Sequence, residues 1–135
     1  MNSILKQYEE RRAYPRVELG KNAIINLDCG QKVSVLVHDI STDGMQLRCD
    51  RLTAAKLHPS GKLLSEDNAP ELNIMLALPC DEENHQHVFN AMGKLKYLVR
   101  LESDIFAIGI YFSDLNTTSK NAMEEFIAYS MCPEE

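Results

Sequence analysis

No stretch of this chain stays apolar for long. Each hydrophobic run is broken by polar or charged residues within a few positions, which excludes a transmembrane helix. The opening residues, MNSILKQYEERR, have no apolar core of the kind a secretory signal needs, so a cytoplasmic protein is expected. There is no CxxC pair, and Cys29, Cys49, Cys80 and Cys132 lie far apart. In a chain without an export signal they read as reduced thiols and not as a disulfide framework. Internal repeats and low-complexity linkers are absent too, and 135 residues is the size of one domain. What is present is an ordinary globular composition, 44% hydrophobic and 25% charged, enough for a single core.

Surplus positive charge is also lacking. The formal net charge of −6 argues against a general DNA or RNA binder, which must neutralise many phosphates. The balance is uneven, however. Residues 1–21 carry five Lys/Arg against three Glu, whereas the rest of the chain carries nine against seventeen. Half of the six arginines fall at Arg11, Arg12 and Arg16. A small basic cluster on an acidic body suits a small anionic ligand better than a polyanion; a solvated charged terminus is the plain reading of the same residues.

After the basic segment the hydrophobic pattern has a period of two. Residues Asn22–Asp28 place Ala23, Ile25 and Leu27 on one face, and Lys32–His38 places Val33, Val35 and Val37 there. Cys29-Gly30-Gln31 between them predicts a hairpin turn. Further strands are expected at Met45–Cys49, Leu72–Leu78, Val88–Leu101 and Ile105–Phe112, the last two joined by a turn near Glu102–Asp104. Within Arg51–Glu71, Leu52–Leu57 predicts a short helix before Pro59 and Gly61. Asn116, Thr117 and Thr118 are N-cap candidates for a final helix, Thr117–Met131, along which Met123, Phe126, Ile127 and Met131 recur at helical spacing until Cys132-Pro133. A small antiparallel sheet of about six strands is best closed into a barrel.

Two constellations carry chemistry. In Arg11-Arg12-Ala13-Tyr14-Pro15-Arg16, Pro15 biases Tyr14 toward an extended backbone, on which Arg12 and Arg16 share a face. Two guanidinium forks can grip phosphate oxygens or the O6/N7 edge of guanine bidentately, and can stack on a purine. The second is Asp39-Ile40-Ser41-Thr42-Asp43-Gly44, at the end of the Val33–His38 strand. A carboxylate at Asp39 can accept from the N1–H and N2 donors of guanine, and a hydroxyl at Ser41 can donate to a phosphate. Gly44 would allow a positive φ and close backbone approach. An Asx-turn capped by Asp39, with Gly44 as its turn residue, is the purely structural alternative.

Taken together, RR-x-x-x-R followed after a hairpin by D-x-S-x-x-G resembles the signature of the PilZ domain, a bacterial receptor for cyclic di-GMP. The matching residues are Arg11, Arg12 and Arg16, then Asp39, Ser41 and Gly44. LNIMLALP (Leu72–Pro79), MGKLKYLV (Met92–Val99) and AIGIYF (Ala107–Phe112) are similar to the family as well, so the resemblance covers nearly the whole chain. It implies a mainly β fold: a six-stranded antiparallel barrel with a C-terminal α-helix, preceded by a flexible N-terminal arginine segment that wraps the ligand. It divides the chain into a tail, 1–10, and a PilZ domain, 11–135. It also implies those six residues as the ligand-binding set, no catalysis, no cofactor, no membrane insertion, and an unnamed downstream protein partner. Arg11, directly before the Arg12/Arg16 pair, resembles the arrangement that accommodates two mutually intercalated cyclic di-GMP molecules per chain.

The competing readings are weaker. A PilZ-like adaptor working through protein–protein contact without ligand would have no use for the intact arginines. Cys80 with His85 and His87 is metal-capable, but these residues sit in an acidic loop without a clear distant partner, and a structural zinc site needs four ligands. No nucleophile–base pair points to an enzyme.

Overall fold

Alternating side chains decide which face of each strand is covered. Ala23 and Ile25, Val35 and Val37, Met45 and Leu47, and Leu72, Ile74, Leu76 and Leu78 all point into one interior and are almost wholly buried. In the computed structural model, which describes residues 17–27, 29–58, 69–79 and 86–131, the strands are β1 (Val17–Asn26), β2 (Lys32–Ile40), β3 (Gly44–Cys49), β4 (Glu71–Pro79), β5 (Gln86–Glu102) and β6 (Ile105–Leu115). They close into an antiparallel barrel in the order β1-β2-β3-β6-β5-β4, as expected from the sequence. Closure removes the exposed edges that would invite pairing with other chains. Phe89 and Phe112 meet edge-on inside it, with ring centroids 5.4 Å apart.

Two helices complete the fold. The shorter, α1 (Arg51–Leu57), starts at Asp50, whose carboxylate accepts from the Thr53 amide at 2.8 Å, and buries Ala54 and Leu57. The longer, α2 (Thr117–Met131), is capped by Asn116, whose Oδ1 accepts from the Ser119 amide at 2.7 Å. Met123 and Ile127 enter the barrel core and Phe126 packs at its margin, the face the helical spacing predicts. The Ser119 hydroxyl accepts from the Asn90 amide at 3.0 Å and ties the first turn of α2 to β5. The predicted stop at Cys132-Pro133 lies outside the described residues.

The first strand departs furthest from the sequence expectation, the other elements differing by at most three residues at an end. The first strand begins at Val17 and ends at Asn26, where the pattern gave Asn22–Asp28. The register against β2 shifts between Glu18 and Lys21, at Gly20 with φ +67°. This bulge breaks the alternation, so a period-two reading finds only the part beyond it. At the other end the Leu27 amide donates to the Gln31 carbonyl at 2.8 Å and Gly30 takes φ +89°, which closes the predicted hairpin turn.

Candidate functional site

The end of β2 is built around a bulge. Val37 lies opposite Leu47 and Asp39 opposite Gln46, so His38 is the extra residue. In an unbroken strand Val37 and Asp39 would face the same way. The inserted residue reverses the parity: Val37 stays in the core, Ile40 pairs with Met45 in the core, and Asp39 turns to the outer face with Gln46. There the Asp39 carboxylate lies 3.1 Å from His38 Nδ1. Its neighbour on β1 is Glu18, so two carboxylates sit side by side across the ladder, an arrangement that favours a nearby cation.

The turn that follows is held from within. The Ser41 amide donates to the Gly44 carbonyl at 2.8 Å, and the Ser41 hydroxyl donates to the Asp43 carboxylate. The Asp43 carbonyl accepts from the Phe112 amide at 2.9 Å, which pins the turn to β6. Ser41, Asp43 and Gly44 therefore hold the turn closed. Gly44 is required for a different reason from positive φ, since among the described glycines only Gly20 and Gly30 have it. A Cβ at Gly44 would stand 2.1 Å from the Ile110 carbonyl oxygen, so only close approach of β3 to β6 demands glycine.

Arg11, Arg12 and Arg16 lie outside the described residues, as do Cys80 and His85. Val17, where β1 begins, has Ile40 of β2 as its partner, and Glu18 has Asp39.

Period-two reasoning missed a polar group on the outer face beside Asp39. Gln46 Nε2 donates to the Tyr97 hydroxyl at 2.8 Å, and Arg48 Nε donates to Gln46 Oε1 at 2.8 Å. The Tyr97 ring fills the space a side chain at Gly109 would need, 2.1 Å from where its Cβ would be. Tyr97, Val99 and Ala107 form a small apolar cluster of their own, apart from the barrel interior, with Leu101 packed against it. At the end of β3, burial and then Asp50 and Asp104 push the Cys49 thiol up to about 11, which keeps it protonated and unreactive. The Thr53 amide holds the exposed Asp50 carboxyl below its usual range.

No protein-family model matches the sequence, and neither does any curated protein sequence. Solved structures do. The PilZ domain of YcgR from Escherichia coli, solved with cyclic di-GMP, superposes with a TM-score of 0.56 at 12% identity, over 89% of this chain and 91% of that one. The fold is that of a PilZ domain. The inhibitor of motility MotI/DgrA of Bacillus subtilis gives a TM-score of 0.65 at 16% identity over 88% of this chain. The K. pneumonia MrkH complex with cyclic di-GMP gives 0.58 at 20% over 87%. This chain spans 51% of the length of each of these two, so the PilZ-like barrel corresponds to about half of either protein. Among the described residues, no helix is long and apolar enough to cross a membrane.

Proposed function

We propose that this chain is a cyclic di-GMP receptor that binds its ligand on the outer face of the barrel, around Asp39, Ser41 and Gly44, with Arg11, Arg12 and Arg16 closing over it. The observation that supports this most directly is the register of β1 on β2, which sets Val17, the residue after Arg16 in the chain, opposite Ile40 and Glu18 opposite Asp39. Arginine forks complement the phosphodiesters and the guanine O6/N7 edge, and Asp39 complements the guanine N1–H and N2 donors. Solved PilZ-fold proteins with cyclic di-GMP bound favour the same reading.

Micromolar binding requires about 8 kcal/mol. Charge-assisted hydrogen bonds contribute roughly 1.5–3 kcal/mol each, and ordering a loose segment takes back about 2–5 kcal/mol. Three arginines alone therefore leave a marginal site, so Asp39, Ser41 and base stacking are needed as well. Binding would clamp the arginine segment onto the barrel and create a new surface for a downstream protein partner. The protein would act in the cytoplasm as a receptor, without catalysis.

Calorimetric titration tests this reading, with GTP and cyclic di-AMP as controls. Heat is expected with cyclic di-GMP alone, at two molecules per chain, with the ligand recovered unchanged on chromatography. Equal response to all three nucleotides, or none to cyclic di-GMP, overturns the receptor; an endpoint of one ligand overturns the intercalated pair.

A further inference from the structure

Arg48 lies on β3 two residues beyond Gln46 and opposite Ala107 of β6, hence on the same outer face as Asp39 and Gln46. It is half-buried, beside the Tyr97–Val99–Ala107 cluster. Its Nε is committed to Gln46 Oε1, and Gln46, 1% exposed, is fixed at its other end by the Tyr97 hydroxyl. The two Nη groups make no hydrogen bond among the described residues, and no carboxylate there lies within ion-pair distance of them. A guanidinium never gives up its charge, so a half-buried one with its outer edge uncommitted is costly unless an acceptor arrives. The chain is rich in acidic residues, yet the amide that holds Arg48 is neutral and leaves its full charge on offer.

Arg48 stands two residues along β3 from Gln46, the partner of Asp39, so its guanidinium and the Asp39 carboxylate share one stretch of the outer face, along which a single cyclic dinucleotide can meet both. We infer that Arg48 is a fourth ligand-binding arginine, presented by the positioning residue Gln46, and that it takes a phosphodiester oxygen of the cyclic dinucleotide. This rests on the receptor reading above and extends its site from β2 across β3 toward β6.

The test is calorimetric titration of the full chain with cyclic di-GMP, for the parent and for Arg48→Ala, Arg48→Lys, Gln46→Glu and Lys120→Ala. Lys120 is exposed on α2, remote from the site, and controls for net charge. Arg48→Ala should bind about 10- to 100-fold more weakly, and its affinity should fall less steeply with salt than that of the parent. Arg48→Lys should lose affinity too, because it keeps the charge without the fork; should Arg48→Ala fail to fold by circular dichroism, it carries the comparison alone. Gln46→Glu should weaken binding by pairing with Arg48 and withdrawing its charge. Lys120→Ala should stay within twofold of the parent. A parent that binds while both Arg48 variants bind within twofold of it overturns this inference alone; a parent that gives no heat overturns the receptor reading beneath it. Parental affinity in Gln46→Glu with weakened Arg48 variants overturns the positioning role of Gln46.

Discussion

Gly30 lies in a turn and Gly44 where a turn enters β3, and they are needed for opposite reasons. A methyl group at Gly44 meets the Ile110 carbonyl oxygen in a backbone of ordinary φ, whereas at Gly30 it meets nothing within 4 Å but must accept φ +89°. Gly44→Ala should therefore cost about 1–3 kcal/mol by overpacking, and it should also weaken ligand binding, because β3 must move away from β6 and carry the Asp39–Gly44 turn with it. Gly30→Ala should cost about 1–2 kcal/mol through left-handed strain and leave affinity unchanged. Urea unfolding and calorimetry on the two variants separate the cases; equal affinity loss in both would refute the distinction. The turn at Ser41–Gly44 was legible in the sequence because turn chemistry is local, spelled out within a few residues. Gln46 and Tyr97 were not, since they are 51 residues apart and only the strand register brings them together. The one available clue was Tyr97 in a strand with Gly109 in its partner, an aromatic and a missing side chain that complement each other.

Bulges explain where the reading of whole strands stopped. The alternation of Val33, Val35 and Val37 runs correctly into the core and ends at His38, because the next inward residue is Ile40 and not Asp39. Between β5 and β6 the register shifts at Met92/Gly93, Leu95/Tyr97 and Arg100/Glu102. A period-two pattern cannot survive three reversals, so the faces of this hairpin could not be assigned although both strands were foreseen. The ladders also differ in length. β4 pairs with β5 from Glu71 to Pro79, but β1 meets β4 only at Ile24–Asn26 against Asn73–Met75. Closure therefore rests on a short seam, with Ile24 and Met75 partly exposed on its outer side. In segment-resolved hydrogen exchange, the β1 amides that face β4 should exchange before those between β4 and β5, because the shortest ladder opens at the lowest free energy. Exchange slowest at the seam would contradict this account of how the barrel closes.

At the scale of the molecule, one buried cluster includes residues from all six strands and from both helices, with Ala54 and Leu57 contributed by α1 and Met123 and Ile127 by α2. No part of the described barrel has a core of its own large enough to melt separately, the small Tyr97 cluster being stacked on the same strands, so unfolding should be a single transition. Far-UV circular dichroism and tyrosine fluorescence, the usable intrinsic probe in a chain without tryptophan, should give superimposable melting curves. A ligand bound across β2 and β3 then stabilises the whole fold. At a free concentration one hundred times Kd, each bound cyclic di-GMP should add about 2.7 kcal/mol, which for a domain of this size raises Tm by roughly 8–10 °C per ligand. At the same concentration a variant with tenfold weaker binding, the least expected of Arg48→Ala, should keep about 1.4 kcal/mol per ligand and a rise of roughly 5 °C for each. The comparison is made within each variant, with and without ligand, so any loss of intrinsic stability cancels. A rise of equal size in the parent and Arg48→Ala would mean that the ligand does not use Arg48, and an equal rise with cyclic di-AMP would mean that the site does not read guanine.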